Sequence, residues 1–169
     1  GQAPLLSAPV IEKTEDARFL ADIAITESPQ CLALAAMTRR LRERLPDRFL
    51  CATSWGPFTW GMILCDWNLI REKAATDREF IREVCGLGVR LSAAYFSLLV
   101  DHNLVDGICI SDGAATLVPA ELYADTILPA EQQLFEQFKD RGIARFLHQC
   151  GTIADQVPLY PGSGADCIT

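Results

Sequence analysis

Val105-Asp106-Gly107-Ile108-Cys109-Ile110-Ser111-Asp112 is the stretch on which the fold turns. Val105 to Ile110 reads as a strand, and its apolar residues do not alternate with polar ones as they do in a sheet with one wet face. A run of this kind fits a strand covered on both sides. Ser111-Asp112-Gly113 then ends it with turn chemistry. Three further strands follow from similar signals: Phe49 to Thr53, broken by Ser54-Trp55-Gly56-Pro57; Arg145 to His148, reached through Gly142; and Ala165 to Ile168, reached through Gly162 and Gly164.

Between the strands lie helical patterns. After an extended lead-in over Pro4 to Pro9, Thr14-Glu15-Asp16 opens a short helix over Ala17 to Ile25. Ser28 and Pro29 are a cap and first-turn pair for a second helix. Its apolar positions are Leu32, Ala35, Ala36, Met37 and Leu41, and Arg39, Arg40, Arg42 and Arg44 supply its wet face. That basic cluster suits the negative carboxyl end of the helix dipole, which explains it better than an anion site does. A helix resumes near Thr59 and runs to Leu69, and Asp77 caps a long one over Arg78 to Leu99. Pro119 opens another, which Pro129 must kink or split because an interior proline removes a hydrogen bond and clashes with the preceding turn. Helices alternating with strands predict an α/β fold with a parallel sheet. No repeat or linker divides the 169 residues, so a single domain is expected.

Half of the residues are hydrophobic and the net charge is -7, figures that exclude a disordered chain. The acidic balance, with no long basic run, argues against a nucleic-acid surface. No stretch reads as the roughly 18 apolar residues of a membrane span, and no signal-like segment opens the chain. A cytoplasmic protein is expected. Of the seven cysteines, Cys31, Cys51, Cys65, Cys85 and Cys109 have the neighbours of core residues, which fits a reducing compartment. There is no Cys-x-x-Cys pair, hence no thioredoxin-like motif and no zinc ribbon.

His148-Gln149-Cys150-Gly151 carries the most chemistry. Side chains two apart on a strand share a face, so the imidazole and the thiol converge. A nitrogen with a soft sulfur is the beginning of a zinc site that needs a third ligand. The alternative is a buried cysteine beside a hydrogen-bonded core histidine. The Trp55-Gly56-Pro57-Phe58 turn is either a pocket wall or tight packing. Trp60 and Trp67 read as packing residues, and His102 as a helix-end cap.

Three segments together resemble the uroporphyrinogen decarboxylase superfamily. The first is Gly56-Pro57-Phe58-Thr59 with the helix start at Asp77 to Phe80. The second is Val105 to Asp112, followed by Leu117-Val118-Pro119 and Leu128-Pro129. The third is His148 to Gly151, followed by Gly164-Ala165-Asp166-Cys167-Ile168. At the third segment His-x-Cys is similar to the zinc-ligand pattern of the corrinoid-dependent methyltransferases of that superfamily, whereas true decarboxylases show a glycine-rich stretch there. The resemblance implies a (β/α)8 barrel with its site at the carboxyl ends of the strands. Such barrels usually need ~250 residues. The chain is therefore expected to be a segment with about four strands, oligomeric or complemented by missing barrel strands.

The resemblance implies a zinc-dependent methyltransferase that moves a methyl group between a corrinoid protein and a thiol or related small-molecule acceptor. His148 and Cys150 would bind the metal, and Ser111 would bind cofactor. Asp112 would act at the site, orienting a ligand imidazole or taking a proton; a helix or turn cap, with Gly113 beside it, is its alternative reading. The family's third zinc ligand is a cysteine on a later strand. Cys167 reads as a structural residue instead, so the segment alone should bind zinc weakly and catalyse nothing. The competing readings are a uroporphyrinogen decarboxylase, against which His-x-Cys counts, and a non-catalytic corrinoid- or protein-binding module.

Overall fold

Four strands, β1 (Cys51–Trp55), β2 (Gly107–Ser111), β3 (Ala144–His148) and β4 (Cys167–Ile168), form one parallel sheet in the order β1-β2-β3-β4. The structure is a computed structural model and describes residues 8–20, 22–151 and 154–169. In register, Trp55 pairs with Ser111 and Ser111 with His148, so the carboxyl ends of the first three strands lie level. Thr169 is tied beside them, because the Gln149 amide donates to its carbonyl at 3.1 Å. The expected four-stranded parallel α/β architecture is observed.

Alternation along the strands sorts the side chains into two faces. Ala52, Ile108, Ile110 and Leu147 are buried in a core shared with Phe80, Val84, Phe96 and Phe135. Cys51, Thr53 and Trp55 on β1 and Cys167 on β4 are exposed on the other face, and Cys109, Phe146 and His148 are half-buried there. Only one face is therefore fully covered. This corrects the expectation that Cys51 is a core residue and Cys167 a structural one: each sits on an edge strand facing the open side. Cys65 and Cys85 are buried as expected, and burial pushes both thiols up, Cys65 to about 12. Cys31 and Cys109 are half-buried.

Several boundaries differ from expectation for local reasons. β1 runs through Ser54 and Trp55 because Ser92, on the long helix, holds this end: its hydroxyl lies 3.0 Å from Ser54 Oγ and donates to the Trp55 carbonyl at 2.9 Å. The break comes at Gly56, which starts α3 (Pro57–Leu64). The helix expected from Thr59 to Leu69 is two helices. Cys65 ends α3, and Asp66 caps α4 (Trp67–Thr76) by accepting from the Asn68 and Leu69 amides. The first helix, α1, spans Thr14–Leu20, and a separate 3-10 turn covers Ile25–Glu27. Most of the lead-in expected over Pro4 to Pro9 lies outside the described residues. α2 (Pro29–Arg44) is capped by Ser28 as expected, yet no residue on it is fully buried and Leu32, Met37 and Leu41 are exposed. Arg42, from its basic cluster, pairs with Asp106 at 2.6 Å.

α5 (Arg78–Val100), capped by Asp77, is the central helix. Its most apolar window has a mean hydropathy of 1.4, high enough for a membrane span, which the sequence reading overlooked; more than half of that window is buried inside the domain, as in a core helix. α5 also packs closely against α3. A Cβ on Gly88 would fall 2.4 Å from the Pro57 carbonyl oxygen, so only glycine allows this approach. Pro129 has the predicted effect. α6 (Ala120–Leu122) passes into a π turn over Tyr123–Ile127 before α7 (Leu128–Glu136), and the Leu128 amide reaches back to the Tyr123 carbonyl.

Asp112, immediately after β2, is fully buried and caps α3. Its Oδ2 accepts from the Phe58 amide at 3.1 Å, and its Oδ1 accepts from the Thr59 amide and hydroxyl, each at 2.7 Å. Replacing Asp112 by Ala strands these buried donors and is expected to lower stability by about 3 kcal/mol. Denaturant unfolding measures this, and a loss below about 1 kcal/mol would contradict the capping role. Gly88→Ala pushes α3 off α5 and is expected to cost about 1–3 kcal/mol in the same experiment.

Candidate metal and substrate site

The carboxyl end of the sheet gathers Trp55, Ser111, His148 and Thr169. Each ends a strand or follows one, and in a parallel sheet paired residues point the same way. His148 is half-buried, and its Nδ1 lies 3.2 Å from Thr169 Oγ1, which sets the ring orientation and leaves Nε2 for another partner. Strand pairing stops at His148, but the alternation continues for two residues: Gln149 is buried and Cys150 is exposed. His148 and Cys150 thus flank a buried residue and are themselves accessible, and Cys150 but not His148 lines the cavity beside them.

Cys150 lines a cavity of about 490 Å³ together with Trp55, Met62, Ser111, Thr116 and Leu117. Two glycines shape its thiol end. A Cβ on Gly113 would meet Cys150 Sγ at 2.6 Å; Gly151, at φ 133°, has no room for a side chain because Thr116 Oγ1 would be 2.5 Å away. The Thr116 hydroxyl reaches the Gly113 carbonyl at 2.7 Å and the Cys150 carbonyl at 3.2 Å, joining the two loops. A cavity of about 600 Å³ lies along the unpaired edge of β1, between α2 and α5, and its lining of Leu34, Trp60, Leu91 and Tyr95 is mostly apolar.

Asp112 lies behind this surface, with its carboxylate committed to α3. Burial raises its pKa, opposed by the Thr59 hydroxyl and the Phe58 and Thr59 amides. It caps a helix, as the alternative reading held, and that helix is the one that follows the neighbouring strand β1. The imidazole of His148 is oriented by Thr169, not by Asp112. Ser111 ends β2, the strand-end position the sequence indicated, and is half-buried on the cavity wall.

A nitrogen and a sulfur donor flanking one residue at a strand end fit the first two positions of a zinc site. Among the described residues no group of three or more His, Cys, Asp and Glu side chains is arranged to hold a metal ion. Cys167 pairs in register with Phe146, two residues before His148, so it is set back along the sheet from Cys150. Among the described residues, His148 and Cys150 could supply two donors and no third completes a site.

Sequence reasoning missed the polar cluster under the motif. Glu131, fully buried on α7, accepts from the Tyr123 hydroxyl at 2.6 Å and from Gln149 Nε2 at 3.0 Å. Burial first, and Asp112 nearby second, hold the Glu131 carboxyl well above its ordinary range. Thr59 and Thr169 were missed as well. The signals were faint: a threonine in the first turn after Pro57, and a glutamate two residues after a helix-breaking proline.

The fold has known counterparts. The family model for uroporphyrinogen decarboxylase (URO-D) matches residues 1–169. A methyltransferase from Methanosarcina mazei superposes with a TM-score of 0.85 at 15% sequence identity, covering 96% of this chain and 48% of that one. The chain thus spans about half the length of that structure, and its four parallel strands with flanking helices correspond to part of a (β/α)8 barrel. No curated protein matches the chain. Matched by the family model from its first residue to its last, the chain belongs to the uroporphyrinogen decarboxylase family.

Proposed function

We propose that this chain is part of a zinc-dependent methyltransferase that moves a methyl group between a corrinoid carried by a partner protein and a thiol or related small-molecule acceptor. The observation that carries the reading is the placement of His148 and Cys150. Both lie at the carboxyl end of β3 and are accessible, and the thiol opens onto the cavity. A methyltransferase among the structures that share the fold supports it. His148 and Cys150 would hold the metal, with the remaining ligand supplied from outside the described residues. Zinc in such a site keeps a bound thiol in its thiolate form at neutral pH.

The chain's own side chains have defined tasks in this reading. Thr169 fixes the imidazole through Nδ1, so that Nε2 is the ligating nitrogen. Trp55, Met62 and Leu117 give the cavity an apolar wall beside the Cys150 thiol. Ser111 presents a hydroxyl to cofactor or substrate on the same wall. Asp112 acts as a positioning residue by fixing the end of α3, from which Thr59 and Met62 reach the cavity.

Zinc titration of the metal-free chain tests the reading. It should show weak, saturable binding of one equivalent, with affinity reduced roughly tenfold or more in His148→Ala and in Cys150→Ser. A well-folded chain that binds no zinc, or binds it unchanged in both variants, would favour a non-catalytic or decarboxylase role. Gly113→Ala displaces the Cys150 thiol and is expected to weaken zinc in the same titration while the far-ultraviolet circular dichroism stays unchanged.

A further inference from the structure

The residue between the two proposed ligands is the polar exception on its face of the sheet. Ile110 and Leu147 point to the helix side and are apolar, as a strand beneath helices requires. Gln149 points the same way and is only 5% exposed, yet it carries an amide. That amide donates to Glu131 Oε1 at 3.0 Å, and the other carboxyl oxygen accepts from the Tyr123 hydroxyl at 2.6 Å. Tyr123 and Glu131 are themselves buried, and Gln149 Oε1 has no partner among the described residues.

Three buried polar side chains with one unsatisfied oxygen are less stable than an apolar cluster of the same volume. A buried group of this kind calls for an explanation, and functional sites are where such local costs are retained. Its connections supply one. Glu131 stands in the first turn of α7, directly after the π turn that Pro129 enforces, and this turn brings Tyr123 onto the carboxyl. The main chain on the other side is held too. Asp112 donates its amide to the His148 carbonyl at 3.1 Å, Gln149 donates its amide to the Thr169 carbonyl at 3.1 Å, and the Cys150 carbonyl accepts from Thr116. These bonds hold both ends of the peptide between His148 and Gln149 and leave free the rotation of the next one, between Gln149 and Cys150, the motion that would turn the thiol away from the imidazole.

We propose that Gln149 is a positioning residue: the Tyr123-Glu131-Gln149 relay clamps the centre of the His-Gln-Cys segment to α7 and so fixes the relative direction of the His148 imidazole and the Cys150 thiol. The inference rests on the metal-binding reading above. A clamp of this kind acts on a metal as outer-shell hydrogen bonds do, by holding ligands at their bonding angles before the ion arrives.

Co²⁺ is the probe, since its ligand-field and sulfur-to-metal absorption bands report geometry as well as affinity. Metal-free chain would be titrated with Co²⁺ for wild type, Gln149→Leu, Tyr123→Phe, the exchanged pair Gln149→Glu with Glu131→Gln, and His148→Ala. Gln149→Leu is expected to weaken Co²⁺ binding about 10- to 100-fold and to shift its bands. Tyr123→Phe removes one hydroxyl, keeps the packing, and should weaken binding in the same direction by a smaller factor. The exchanged pair should recover wild-type bands. If His148→Ala abolishes binding while Gln149→Leu and Tyr123→Phe keep wild-type affinity and bands, the clamp is refuted and the metal site stands. If His148→Ala binds Co²⁺ as wild type does, the metal site and the clamp both fall.

Discussion

The carboxylate of Asp112, closed over the first turn of α3, is the constraint on which the rest of this structure depends. It follows β2, accepts three hydrogen bonds from Phe58 and Thr59, and through its own amide holds the His148 carbonyl at the end of β3. Three successive strand ends are thereby tied at one buried point. The contact is possible because Gly56 carries no side chain: a Cβ there would lie 2.3 Å from Asp112 Cβ. A buried carboxylate is costly unless every lone pair finds a donor, and a helix amino terminus supplies donors of the right sign. The same bond therefore stabilises the domain and sets the floor of the cavity.

From that point the division of labour follows strand alternation. Ile110 and Leu147 go down into the helices, while Ser111 and His148 face up at the open end. The motif His148-Gln149-Cys150 extends this alternation past the last sheet hydrogen bonds, with a buried amide between two outward-facing donors. Among the described residues both edges of the sheet, β1 and β4, are unpaired, and the face that carries Trp55, Phe146 and Cys167 is open. The four strands correspond to part of a barrel, in a chain that spans about half of a structure sharing its fold.

Much of this was legible in the sequence, for reasons that can be named. The strand over residues 107 to 111 and the long helix after Asp77 announce themselves by composition and capping, both local signals. Pro129 announced a break whose form, a π turn, could not be read. The faces were harder. Val105 to Ile110 suggested a strand covered on both sides, but coverage is set by distant elements that a local run does not reveal, and Cys51, Cys109 and Cys167 sit on the open face. Asp112 was picked out for its place after a strand, and its partner lay more than fifty residues away at Phe58 and Thr59. Glu131 gave no local sign of burial, since its environment is made by Tyr123 and by Gln149 from another element.

The central claim is that the imidazole of His148 and the thiol of Cys150 bind one metal ion together. X-ray absorption at the zinc edge of the zinc-loaded chain reads this directly. The account predicts one sulfur neighbour at about 2.3 Å and imidazole nitrogen at about 2.0–2.1 Å, with the sulfur shell absent in Cys150→Ser. A first shell of oxygen alone, or a sulfur shell unchanged by that substitution, would contradict it.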